Sequence, residues 1–93
     1  MPWKERSVEE IADSMGISIE EVRAKQNLIH LITKERKARK LSQAALAKKM
    51  GVSQGRIAQI ESGIGTSQVT FDILLHILSE LGFHFKIITK KAA

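Results

Sequence analysis

Apolar residues recur at helical spacing along most of the chain, and glycines interrupt the pattern. In the middle of the sequence two short apolar stripes lie on either side of Gly51. Ser42 and Ser53 come directly before these stripes, where a serine hydroxyl can accept a backbone N–H at the start of a helix. The pattern therefore predicts helices over residues 43–50 and 54–62, joined by a tight turn.

The second of these helices is predicted to have a polar outer face. Ile57 and Ile60 have the i, i+3 spacing of a buried stripe. The residues left outside carry an amide, a guanidinium or no side chain: Gln54, Gly55, Arg56 and Gln59. Two short helices with a glycine turn describe a helix-turn-helix, whose second helix enters the major groove of DNA. The alternative is an ordinary corner between two core helices, which has no need for exposed amides.

Longer apolar patterns on both sides complete an all-α bundle. An uninterrupted stripe predicts a helix from Ile19 to Lys40, and Gly82 ends another predicted helix, FDILLHILSEL, that begins after Thr70. This last helix is apolar on two sides, which is more than a small monomer covers. We therefore expect Ile73 and Ile77 to lie in a dimer interface.

The residues after Gly82, FHFKIIT, alternate in polarity and predict one short C-terminal β-strand. A single strand must pair its backbone groups with something, and the simplest partner is the same strand of a second copy. The strand side chains expected in that interface are Phe83, Phe85 and Ile87. Such a homodimer would place two recognition helices about 34 Å apart on a palindromic operator in double-stranded DNA.

The N-terminal region differs from the rest in charge. Through Gln26 the chain has four basic and six acidic side chains, so the remaining residues supply the whole of its net charge of +5. We therefore divide the chain into an acidic helical extension, residues 1–26, and a helix-turn-helix domain, residues 27–93. The extension includes a predicted helix, SVEEIADSM, that Gly16 ends.

The extension also repeats part of the motif at an offset of 35 residues, with Gly16 matching Gly51 and Ser18 matching Ser53. The chemistry is not repeated, because carboxylates such as Glu20 stand near the positions of the amides and would be repelled by phosphate. We interpret this copy as a structural or protein-docking element. The alternative is a chance resemblance between two capped helix pairs.

Composition excludes several classes of protein. The 93 residues suffice for one small domain, and a pI near 9.8 favours a polyanion partner without establishing one. No cysteine is present, which excludes disulfides and thiolate zinc sites. The three histidines lack ligand spacing, and no catalytic triad or phosphate loop can be assembled, so we expect no enzyme, metal or cofactor. Without a signal segment or membrane span, we expect a cytoplasmic, bacterial protein.

The stretch from about Leu28 to Ile87 resembles the XRE, or phage-repressor-like, family of regulators. LSQAALAKKMGVSQGRIAQIESG followed by TFDILLHILSELGFHFKI carries the resemblance, which within the family is closest to antitoxins of HigA or HipB type. It implies a lambda-repressor-like fold and a homodimeric repressor. It further implies a type II toxin-antitoxin pair, in which the protein neutralises a small RNase or kinase toxin and represses its own operon.

The resemblance also implies roles for single residues. Gln54 and Gln59 are expected to read bases, as an amide can pair with adenine N6 and N7, and Arg56 can reach a phosphate or a guanine edge. Gly55 departs from the family pattern, so either the backbone approaches DNA closely or fewer bases are read. The residues expected at the DNA backbone are Gln43, Lys48, Lys49, Ser53, Thr66 and Ser67.

The acidic extension is the expected toxin-binding surface, because a basic RNA-cleaving toxin would be attracted to it. Its candidate contacts are Trp3, Glu9, Glu10, Asp13 and Glu20. For Trp3 the alternative is packing on the domain edge. Two other functions stay open: a stand-alone repressor of phage or metabolic type, and a protein-docking module that uses the same shape without DNA.

Overall fold

The computed structural model describes residue 16 and residues 18–86 and 88–91. This part of the chain forms four α-helices and one 3-10 turn: α1 Ile19–Ala38, α2 Gln43–Met50, α3 Gln54–Ser62, the turn Thr66–Gln68, and α4 Phe71–Glu80. The predicted all-helical bundle is confirmed, and each helix agrees with its predicted bounds to within two residues. None of the described helices is long and apolar enough to cross a lipid bilayer.

The helix starts depend on side-chain hydroxyls, as the sequence predicts. Each cap accepts the backbone N–H of the third residue after it: Ser18, Ser42, Ser53 and Thr70. At the other ends of α2 and α3, Gly51 and Gly63 take left-handed φ angles of 71° and 75°. An L side chain is strained in that conformation, which explains why glycine ends both helices.

The core lies where α1 packs against α3 and α4, and α2 packs against α3. Its most enclosed side chains come from all four helices and from the residue after α4: Ile32, Leu46, Ile57, Ile60, Leu74, Ile77 and Leu81. With Ile57 and Ile60 directed inward, the opposite face of α3 is left to solvent. The fold thus leaves the polar face of α3 accessible.

Ile77 corrects the prediction of a dimer interface on the second stripe of α4. Its side chain is 1% exposed and belongs to the core. Ile73, its neighbour in that stripe, is half-buried and packs against the same core. Both sides of α4 are covered within the chain because α1 and α2 each pack against it. The stripe therefore has an intramolecular explanation.

The C-terminal strand is a second correction. Residues 83–86 and 88–91 form no strand where the structure describes them, since no neighbouring strand lies in the described chain to pair with their backbone groups. Phe83 packs partly against the core, and its N–H donates to the Leu78 carbonyl at 2.9 Å. Phe85 is 53% exposed, while Ile87 lies outside the described residues.

Most of the acidic extension lies outside the described residues, including the predicted helix over residues 7–15 and the candidate contacts Trp3, Glu9, Glu10 and Asp13. The described part reproduces the turn of the repeat. Gly16 has φ 72° against 71° at Gly51, and Ser18 caps α1 as Ser53 caps α3. Helix α1 continues through the predicted boundary after residue 26, and the division into domains stays a prediction.

Candidate nucleic-acid interface

The outer face of α3 carries the four residues singled out for base reading. Gln54, Gly55 and Gln59 are exposed, and Arg56 is half-buried. Because α3 begins at Gln54, three of the four lie in its first turn, the end of a recognition helix that contacts base edges. The structure therefore brings these residues together on one accessible surface.

Gln54 is held in place by a glutamine from the neighbouring helix. Its Nε2 donates to Oε1 of Gln43 at 2.9 Å, and Nε2 of Gln43 donates in turn to Oε1 of Glu61 at 3.2 Å. An amide nitrogen has two N–H donors, so Gln54 keeps one donor and its carbonyl oxygen. Those two groups are what bidentate pairing with adenine requires.

This chain of hydrogen bonds ends on a buried ion pair between α1 and α3. Arg36 donates to both carboxylate oxygens of Glu61, through Nε at 2.7 Å and Nη2 at 2.9 Å, while its Nη1 donates to the Leu41 carbonyl at 2.8 Å. The two side chains are only 10% and 6% exposed. A bidentate pair of this kind fixes both partners in orientation as well as in distance.

The same contacts keep Glu61 ionised. Burial raises the pKa of its carboxyl, but hydrogen bonds from Arg36, Gln43 and Thr33, with the charge of Arg36, outweigh burial and hold the pKa below its usual value. The hydrogen bond to Glu61 raises the pKa of Arg36 against the opposing effect of burial. The carboxylate is thus an ionised acceptor for Gln43 at neutral pH.

Sequence reasoning missed this pair, although the sequence contains a signal for it. Arg36 follows Ile32 by four residues on the buried stripe of α1, and Glu61 follows Ile57 by four on the inner face of α3. A charged residue at a core position indicates a buried partner of opposite charge. The identity of that partner depends on how α1 and α3 pack, which the periodicity of one helix does not give.

Arg56 and Gln59 form a second pair on the outer face of α3. Nη1 of Arg56 donates to Oε1 of Gln59 at 3.2 Å, one helical turn away. The amide of Gln59 consequently presents its N–H donors outward, beside the remaining donors of the guanidinium. Acceptor-rich base edges, such as guanine O6 and N7, match such a surface.

Gly55 leaves a gap in this face. A Cβ placed on it would meet no atom within 4 Å, so nothing within the described chain requires glycine here. Glycine inside a helix costs about 0.5–1 kcal/mol relative to alanine. The bare backbone at this point is open to close approach by another molecule.

The predicted phosphate contacts have different surroundings. Lys48 and Lys49 are exposed in the last turn of α2, and Ser53 accepts the Arg56 N–H while its own hydroxyl proton remains able to donate. Thr66 is a correction, because it is buried and its hydroxyl donates to the Gly63 carbonyl at 2.6 Å. That side chain stabilises the turn after α3 and is closed to phosphate.

Comparison with known families gives a match. The model of the helix-turn-helix family matches residues 32–88, which is more than half of the chain and includes α2, α3 and α4. The matched range begins inside α1, so residues 19–31 of that helix precede it. Comparison with curated proteins gave no match, and comparison with solved structures gave none either.

Proposed function

The chain belongs to the helix-turn-helix family of DNA-binding transcription regulators, and from this premise we propose that it is a repressor that reads its operator through α3. One observation carries the proposal: Gln54 is already oriented by Gln43, and Gln43 by Glu61, in the free chain. A side chain fixed before binding loses less conformational entropy when it meets a base. That arrangement favours a surface built for discrimination between sequences.

The electrostatics of the neighbouring surface support the same function. Gln43 retains one amide proton after its bond to Glu61, and Ser53 retains its hydroxyl proton, so both can donate to phosphate oxygens. Lys48 and Lys49 add two cations at the end of α2. In this proposal these groups position the protein on the DNA backbone, while α3 reads the bases.

We also propose that the repressor is a homodimer. The exposed apolar residues after α4 support this, since Phe85 is 53% and Ile88 is 75% exposed. A second copy across a two-fold axis would cover both side chains. Two half-sites about one DNA turn apart then follow from the symmetry.

We further propose that this repressor is an antitoxin that binds a small basic toxin. The acidic extension supports it, because the carboxylates there precede the matched range and Glu20 is exposed in the first turn of α1. A stand-alone repressor would share every DNA contact and lack this partner. The antitoxin proposal takes up the resemblance of residues 28–87 to antitoxins of HigA or HipB type.

The first experiment selects operators from random DNA with the purified protein and then measures affinity between about 50 and 200 mM salt. We expect a palindromic site and a steep fall in affinity as salt rises, because phosphate contacts release counterions. Gln54→Ala should lower the binding free energy by about 1–3 kcal/mol on the selected site and little on random DNA. Lys48→Ala should weaken binding to both DNAs alike. Gln26→Ala, at an exposed glutamine of α1, is the matched control. Equal losses on both DNAs for Gln54→Ala would refute base reading, and salt-independent binding would favour a protein-docking module.

The second experiment tests the toxin. The tagged protein is purified gently from its native cells with nuclease present, and the retained proteins are identified by mass spectrometry. A stoichiometric small basic protein that is lost from a variant lacking residues 2–15, which keeps the Ser18 cap of α1, would support the antitoxin. Recovery of the protein alone, still able to bind its operator, would favour the stand-alone repressor.

A further inference from the structure

Lys25 is an unusual lysine, because it is only 4% exposed on a helix that has ample solvent-facing surface. Its ammonium donates to the Ser67 carbonyl at 3.4 Å and pairs with Oε1 of Glu21 at 3.6 Å. It also lies 5.3 Å from the centroid of the Phe71 ring. A buried cation is tolerated only where such contacts replace water.

These contacts connect two parts of the chain that are far apart in sequence. Lys25 precedes the range matched by the family, residues 32–88, whereas Ser67 lies in the turn Thr66–Gln68 that follows α3. Two backbone hydrogen bonds close that turn, from Gln68 N–H to Gly65 and from Val69 N–H to Thr66. Lys25 thus bonds to this turn from α1.

We propose that Lys25 is a positioning residue for DNA binding, which holds the turn Thr66–Gln68 so that Ser67 meets the DNA backbone. The inference rests on the proposed function and adds a residue that lies outside the family match. Lys25 itself is too buried to contact phosphate and acts through the Ser67 carbonyl. Glu21 supports it by balancing the charge of its ammonium.

Glu21 allows a test of the proposal, because the direction in which its removal changes operator affinity depends on whether it stabilises Lys25. Removal of a carboxylate from a DNA-binding protein should by itself tighten binding, because the carboxylate repels phosphate. If Glu21 stabilises Lys25, Glu21→Gln should instead loosen the turn and weaken binding. Glu20 is the matched control, since it is an exposed neighbour in the same first turn and its carboxylate accepts from Ser18.

The experiment compares Lys25→Met, Lys25→Arg, Glu21→Gln and Glu20→Gln. The readouts are operator affinity, the salt slope of that affinity, and hydrogen exchange of the Gln68 and Val69 amides. Lys25→Met should weaken operator binding about three- to tenfold, the effect of one hydrogen bond, and should accelerate exchange in the turn. The salt slope should stay unchanged, and Lys25→Arg should restore much of the affinity.

Three results would overturn the inference. Unchanged turn amides in Lys25→Met would show that the lysine does not hold the turn, and a salt slope reduced by about one unit would make it a direct phosphate contact. Equal effects of Glu21→Gln and Glu20→Gln would remove the role of Glu21, and this pair remains informative if Lys25→Met fails to fold. Failure of the wild-type protein to bind any DNA would instead refute the proposed function, a result separate from the exchange measurement.

Discussion

Gln43 and Gln54 are joined by a 2.9 Å hydrogen bond from the amide of α3 to the carbonyl oxygen of the α2 side chain. The bond orients a base-reading candidate through a residue that sequence alone assigns to phosphate. Because Gln43 is held in turn by Glu61, the orientation of Gln54 depends on the interior of the protein. Changes to buried residues should therefore alter base discrimination.

The first prediction concerns this pair directly. Gln43→Ala should reduce discrimination at the base pair read by Gln54, because Gln54 then loses its orienting acceptor. A double-mutant cycle with Gln54→Ala, measured as operator affinity, should give a coupling energy of about 0.5–3 kcal/mol, as for residues in one network. Additive losses would mean that Gln43 acts only on phosphate.

The second prediction separates stability from recognition at the ion pair of Arg36 and Glu61. Arg36→Met alone should lower the free energy of unfolding by about 3–5 kcal/mol, because it leaves a buried carboxylate without its cation. The double variant Arg36→Met with Glu61→Leu should recover much of that loss. It should still discriminate poorly between operators, since Gln43 has then lost its acceptor. Denaturant unfolding and operator titration of the same samples measure the two effects.

A double variant that discriminated fully between operators would contradict the dependence of Gln54 on Glu61 through Gln43. So would an Arg36→Met protein of unchanged stability, since the pair is only 10% and 6% exposed. Glu35→Gln provides the comparison, because Glu35 pairs with Arg39 at 2.9 Å in a more exposed position. Exposed pairs of that kind contribute at most about 1 kcal/mol.

The third prediction is a pH dependence of stability. The pKa of Glu61 is held below its value in the unfolded chain by Arg36, Gln43 and Thr33, despite its burial. The stability from its charge is therefore complete above the unfolded-state pKa, and it is lost as pH falls through the folded-state pKa. Denaturant unfolding at stepped acidic pH should show this loss, and Glu61→Gln should flatten the curve. An equally steep curve in Glu61→Gln would assign the loss to other carboxylates.

The helices could be predicted from sequence because their signals are local. Ser42, Ser53 and Thr70 cap their helices through bonds to residues three positions on, and Gly51 supplies the left-handed turn. Helix α1 ends two residues earlier than predicted, since Lys40 takes a left-handed φ of 56° without being glycine. The Leu41 N–H then bonds the Arg36 carbonyl and ends the helix. That geometry has no reliable signature in residue type.

The predictions that failed depended on side-chain contacts that residue type and periodicity do not reveal. The sequence predicts a dimer interface on the second stripe of α4, because no periodicity shows that Ile77 meets other helices of the same chain. The resemblance places Thr66 at phosphate, and a threonine in a polar loop gives no sign of its bond to Gly63. Lys25 and Ser67 are separated by 42 residues, and only the packing of α1 against the turn brings them together.

The last prediction uses Gly55, where two explanations for the missing side chain predict different effects of an added side chain on operator affinity. Gly55→Ala should stabilise the protein by about 0.5–1 kcal/mol, because the position is helical and a Cβ meets no atom within 4 Å. If the backbone of α3 approaches the DNA closely at this residue, the added methyl group should weaken operator binding despite the gain in stability. If the protein simply reads fewer bases, affinity should stay the same, and Gly55→Gln should add discrimination at one further base pair. Thermal unfolding and operator titration of the two variants distinguish these cases.

Gly82→Ala is the contrasting variant, because φ is +89° there and the new Cβ would lie 2.8 Å from Nη2 of Arg39. It should lower stability, and a loss of stability in Gly55→Ala as well would contradict the open space at Gly55.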